Sequence, residues 1–196
     1  MAELTGVLEA ALSAAGELLA AEDAEAAIVV VGGATLNLLR LVERTTDDVD
    51  VIARAEPVGE SPGVLVPPDP LPDALQRAIR RVSRDFALAP DWINTEVGQQ
   101  WSQGVPPWLS DDITWRRYGG LRVGLVGRRT LIALKLFAAV DQSPRSVHAQ
   151  DLIALTPSDD ELRQAADWVE TQDASEHFPA LVAEMMDYVR GRRGDR

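Results

Sequence analysis

The chain has no cysteine, which excludes disulfides, thiol catalysis and Cys-ligated zinc and fits a reducing compartment. It has a single lysine, Lys135, and arginine supplies every other permanently positive side chain. Basic residues are outnumbered 19 to 31, for a net charge of −12. That balance argues against general nucleic-acid coating, which needs a basic face to displace counterions. A nucleic-acid substrate would need a local arginine patch. No apolar run approaches the roughly 18 residues that would span a bilayer. Glu3 and Glu9 stand where a secretory signal would carry positive charge. The expectation is a cytoplasmic protein with no membrane partner. Internal repeats are also missing. With 46% hydrophobic residues in 196, there is ample material for a core.

What is present is concentrated between Ala27 and Ala53. Ile28 to Val31 is a β-branched run that stops at Gly32-Gly33, and a short apolar helical pattern starts at Leu36. Arg44-Thr45-Thr46-Asp47 then leads into Asp48-Val49-Asp50-Val51-Ile52. Alternation puts Asp48 and Asp50 on one face of a second strand, about 7 Å apart at Cα. Two like charges side by side are costly unless a cation lies between them, and Mg²⁺ takes carboxylate oxygens together with substrate phosphates. A solvated acidic edge strand is the plain alternative. A Gly pair between strand and helix lets backbone N–H groups approach an anion, although an ordinary tight turn uses glycine as readily.

Elsewhere the pattern is mainly helical. Leu4, Val7, Leu8, Ala11, Leu12, Ala15, Leu18 and Leu19 form the stripe of a first amphipathic helix. Arg54 to Pro72 carries six prolines and reads as a surface loop, with at most a brief edge strand at Gly63 to Val66. Leu71 to Phe86 is a helix with Arg77, Arg80, Arg81 and Arg84 outside its apolar stripe. Leu88 to Trp115 gives no secondary-structure signal but contains Trp92, Trp101, Trp108 and Trp115. Aromatics beside prolines favour packing over base stacking. Leu121 to Val126 alternates as a strand, and Arg129 to Val140 reads as an apolar helix. Helices follow over Ser146 to Leu155, after the capping box Ser158-x-x-Glu161, and from Pro179 through Val189.

Lys135 lies within an otherwise apolar helix, where a compact ammonium suits triphosphate binding and surface snorkelling is the alternative. Downstream, His148 and Asp151 share a helix face, and His148 reads as a surface residue rather than a ligand. Asp151 could orient Lys135, accept a proton from an attacking hydroxyl, or pair locally.

The order Gly32-Gly33, helix, Arg44, Thr46, Asp48-Val49-Asp50, with fourteen residues between Gly33 and Asp48, resembles the signature of the nucleotidyltransferase superfamily (DNA polymerase β-like fold). The fuller pattern looks like the branch containing toxins of bacterial toxin–antitoxin and abortive-infection systems. The resemblance implies an α/β (α+β) fold with a short mixed sheet of Ala27–Val31, Asp48–Ala53 and Leu121–Val126, flanked by helices. The expected organisation is a nucleotidyltransferase-like core over 1–140, a helical part packed on it over 141–190 and a tail over 191–196. The resemblance further implies Mg²⁺ on Asp48 and Asp50, an NTP whose phosphates meet Gly32, Gly33 and Lys135, Arg44 and Thr46 either contacting phosphate or positioning the Asp-bearing strand, and Asp151 as the family's later aspartate. The acceptor would be a hydroxyl on tRNA, protein or a small molecule, with a cognate antitoxin as a further partner. Many members place a third carboxylate on a following strand, yet Leu121 to Val126 has none, and Asp91, Glu96, Asp111 and Asp112 lie in loop-like sequence. Non-catalytic binding and antibiotic-type small-molecule transfer are the alternatives.

Overall fold

A computed structural model describes residues 2–42, 46–58 and 61–193. Helix α1 spans Ala2–Ala21, and strand β1, Ala26–Val31, leads directly into the short helix α2, Gly32–Leu38. Strands β2 (Val49–Val58) and β3 (Ser61–Val66) form a hairpin, followed by helix α3 (Asp73–Asp85) and the two-residue strand β4, Ile93–Asn94. A turn of helix, α4 (Gln100–Gln103), precedes strands β5 (Ile113–Tyr118) and β6 (Leu121–Val126). Four helices complete the chain: α5 (Arg128–Gln142), α6 (Val147–Leu155), α7 (Asp159–Val169) and α8 (Phe178–Arg192).

The chain divides into two compact units, one of residues 1–102 and 113–126, the other of residues 103–112 and 127–196. In the first, one mixed sheet runs in the order β3-β2-β1-β6-β5 among the described residues, with β4 added beside β2. The centre is β1, antiparallel to β2 and parallel to β6. On the far side of β2, β3 pairs with its C-terminal half and β4 with its first two residues. Ile28, Val30, Val49, Val51, Val123 and Leu125 give one sheet face to a core completed by Leu8 and Leu12 of α1 and by Leu75, Ile79 and Val82 of α3. Because side chains alternate along a strand, Asp50 belongs to the face opposite Val49 and Val51.

Two readings of the sequence change here. The proline-rich segment is not a plain loop: β2 continues through Pro57 and pairs with β3, where Pro57 and Pro62 face each other beyond a register shift between Ala55 and Pro57. Proline is tolerated there because β3 is the sheet edge and the ladder is already interrupted. The segment before Trp115 also holds β4 and β5, whose strand character comes from pairing with β2 and β6 rather than from periodicity.

In the second unit α5 packs against α6, α7 and α8. It therefore groups with the helices that follow it, in the unit that takes in residues 103–112 and 127–196. The Asp112 carboxylate accepts from the Thr130 backbone N–H at 3.1 Å and its hydroxyl at 3.2 Å, capping the first turn of α5. Arg128 donates to Glu161 at 2.6 Å and to the Leu155 carbonyl at 2.7 Å, joining the start of α5 to the end of α6 and the beginning of α7. The capping box at Ser158 and Glu161 is formed as its sequence indicates.

Candidate active site

Gly32 is the hinge between β1 and α2. Its φ of +71° is one that side-chain-bearing residues seldom adopt, and it spares the chain a separate turn, so the helix begins on the glycines rather than at Leu36. A second reason for glycine is spatial: a Cβ at position 32 would run into the Asp50 carboxylate. Sheet register explains that closeness, since Val31 at the end of β1 is the partner of Asp50 on β2. Gly33 is buried in α2, and the Thr35 hydroxyl donates to the Val30 carbonyl at 2.7 Å, fastening this helix to the strand before it.

The two carboxylates are held differently. Asp48 is exposed, one residue before β2 begins, and its Oδ1 accepts from the buried Thr46 hydroxyl at 2.8 Å. Thr46 thus positions Asp48. Asp50 is half-buried, and its Oδ1 accepts from Asn94 Nδ2 at 3.2 Å. Asn94 is the register partner of Asp50 on β4, and its own Oδ1 accepts from the Glu96 backbone N–H at 3.2 Å. Both ends of the Asn94 amide are engaged, so it clamps Asp50 in one orientation. The strand position next to Asp50 therefore carries a neutral amide. Sequence reasoning missed Asn94 because a two-residue strand has no period to detect. Arg44 lies outside the described residues.

No protein-family model matches this chain, and no curated protein or solved structure matches it. Among the described residues no group of three or more His, Asp or Glu side chains is arranged to hold a metal. No helix among them is long and apolar enough to cross a membrane.

In the second unit Lys135 does not snorkel. Its Nζ lies 2.7 Å from Asp151 Oδ2, and the two side chains are only 7% and 5% exposed. His148 Nδ1 is 3.5 Å from the same ammonium, so His148 belongs to this cluster rather than to the open surface. Asp151 thus forms a buried ion pair with Lys135.

The tryptophans have packing roles. Trp92 is fully buried and donates to the Ile79 carbonyl at 3.2 Å, while Trp101 donates to Ile52 O at 2.5 Å. Trp115 lies against Gly124 across the β5–β6 pair. In the second unit, Trp108 carries the Arg129 guanidinium 3.8 Å from its ring centre.

Proposed function

We propose that this chain has the nucleotidyltransferase fold and transfers a nucleotidyl group from an NTP to a hydroxyl acceptor with the help of Mg²⁺. The observation that carries the reading is the seating of the Asp50 carboxylate against Gly32, with Asp48 oriented by Thr46. One short stretch thus brings two carboxylates beside the glycine turn. In the reaction an acceptor oxygen bonds to the α-phosphorus, the bond to the bridging oxygen of the β-phosphate breaks, and pyrophosphate leaves. The hydroxyl proton passes to a base or to solvent.

The donor set fits Mg²⁺, which binds through one or two carboxylates and completes its shell with phosphate oxygens and water. Asp48 and Asp50 would hold it, and when bound it neutralises phosphate charge. Thr46 and Asn94 fix the two carboxylates, and the resemblance assigns the phosphates to Gly32-Gly33. For Lys135 the resemblance implies phosphate binding; within the second unit its ammonium is buried against Asp151, which would act as its positioning residue.

The Asp48→Ala/Asp50→Ala protein should lose Mg²⁺-dependent NTP binding in calorimetry while keeping its circular dichroism spectrum; unchanged binding would sink the site assignment. Incubation with each labelled NTP, Mg²⁺ and total tRNA should then move label to the acceptor. The amide at Asn94 favours a second reading, a non-catalytic binding module, which predicts NTP binding with no label transfer. A toxin would arrest growth on expression in a manner dependent on Asp48, with a cognate antitoxin relieving it. Transfer of label to an antibiotic-type small molecule would instead identify that acceptor.

A further inference from the structure

Within the first unit a cavity of about 250 Å³ lies between α3 and β4. Its floor is apolar, formed by the buried side chains of Leu71, Ile79 and Ile93. Its polar lining is Asp69, Gln76, Arg80, Asn94 and Thr95. Gln76 donates through Nε2 to the Leu71 carbonyl at 2.7 Å, which fixes the amide and leaves its carbonyl oxygen as an acceptor. The Thr95 hydroxyl has no partner among the described residues and can donate or accept.

Arg80 supplies the positive charge. On α3, Arg77, Arg80, Arg81 and Arg84 fall on one outward face by helical spacing, opposite the buried Leu75, Ala78 and Val82. Arg77 is paired with Glu22 at 2.5 Å and Arg81 with Asp85 at 3.7 Å. Arg80 lines the cavity, is exposed, and has no ion-pair partner among the described residues. The exposed Asp69 lines the same cavity, so beside the apolar floor the lining suits a ligand with a ring, an anionic group for Arg80 and an N–H donor for Asp69. Asn94 lines the same cavity and holds Asp50, so the cavity wall is one hydrogen bond from a carboxylate assigned to Mg²⁺.

We infer that this cavity is a subsite for the base of a nucleoside phosphate, its ring on the Leu71, Ile79 and Ile93 floor, its edge read by Gln76 and Thr95, and a phosphate paired with Arg80. The choice of ligand rests on the proposed nucleotidyl transfer. The volume is below the roughly 300–1,000 Å³ of sites that enclose a drug-sized ligand, so it accommodates one planar ring and leaves sugar and phosphate at the opening. The base belongs either to the donor NTP or to the terminal nucleotide of an acceptor.

Saturation-transfer NMR with AMP, GMP, CMP and UMP, in EDTA and without Mg²⁺, tests the subsite. At least one monophosphate should show transfer concentrated on its base protons. Its affinity should fall tenfold or more in Arg80→Glu, which reverses the charge, and in Thr95→Trp, which fills the cavity. Both positions are at least partly exposed, and circular dichroism checks that the variants stay folded. No transfer to the wild-type chain, or variants that bind as it does, overturns the subsite. Competition by Mg·NTP assigns the base to the donor; competition only by a short oligoribonucleotide ending in that base assigns it to the acceptor. Mg²⁺-dependent NTP binding by the wild-type chain, measured separately, reports on the proposed function. Its presence without a monophosphate signal overturns the subsite alone, and its absence with that signal intact overturns the nucleotidyltransferase reading alone.

Discussion

Lys135 brings the chain's one lysine ammonium into an almost dry setting against Asp151. Removing one partner of a buried pair leaves the other charge uncompensated, whereas replacing both by apolar groups of similar size is often nearly neutral. Asp151→Ala should therefore destabilise the fold by about 3–5 kcal/mol in urea denaturation. Lys135→Met/Asp151→Leu should recover most of that loss while still failing to support activity if the ammonium binds phosphate. Asn94 offers a second test at this scale. Asn94→Asp replaces the amide that donates to Asp50 with a like charge, so the metal-free protein should lose stability. Added Mg²⁺ should restore it, because a ligand that binds only the folded state stabilises it in proportion to the logarithm of its concentration over Kd. Thermal melts with and without Mg²⁺ measure both effects; a melting point indifferent to Mg²⁺ would speak against the metal site.

The start of α7 is where an element depends on pH. Hydrogen bonding from Arg128, aided by the Ser158 backbone N–H, holds the Glu161 carboxyl below the usual glutamate range despite the opposing effect of burial. A depressed folded-state value means that this stabilisation is fully present above the unfolded value of about 4.3, and is lost as pH falls through the folded one. Glu161→Gln should therefore flatten the decline of the unfolding midpoint on acidification, compared with the wild-type chain. Ser158→Ala removes the other half of the box and should cost about 0.5–2 kcal/mol with little pH dependence of its own. Helices such as α3, α5 and α7 could be read from periodicity and caps because their signals are local. Strands β4 and β5 could not, because a strand of two residues or one outside an alternating run is defined only by the neighbour it pairs with.

Over the whole molecule, the excess of acidic over basic residues, 31 against 19, makes self-repulsion the leading long-range electrostatic effect. The exposed ion pairs, such as Arg77 with Glu22, contribute little and are themselves screened. Raising the ionic strength from about 0.01 M to 1 M shortens the Debye length from about 30 to 3 Å. The melting temperature should rise with it, by roughly 2–4 °C for each kcal/mol of repulsion removed. A scan of melting temperature against NaCl checks the sign; a fall would mean that the ion pairs outweigh the net charge.

The sequence by itself determined the polarity of the chain, its helices and the presence of a glycine turn followed by two alternating aspartates, because each rests on contacts within a few residues. Tertiary structure decided what those residues meet. Asp50 rests against Gly32 because β1 and β2 pair in one register, and it is clamped by Asn94 because β4 completes the same ladder. Lys135 is buried against Asp151 because α5 and α6 pack together. No spacing along the chain encodes those contacts, since register and helix packing are set by which apolar faces are buried together.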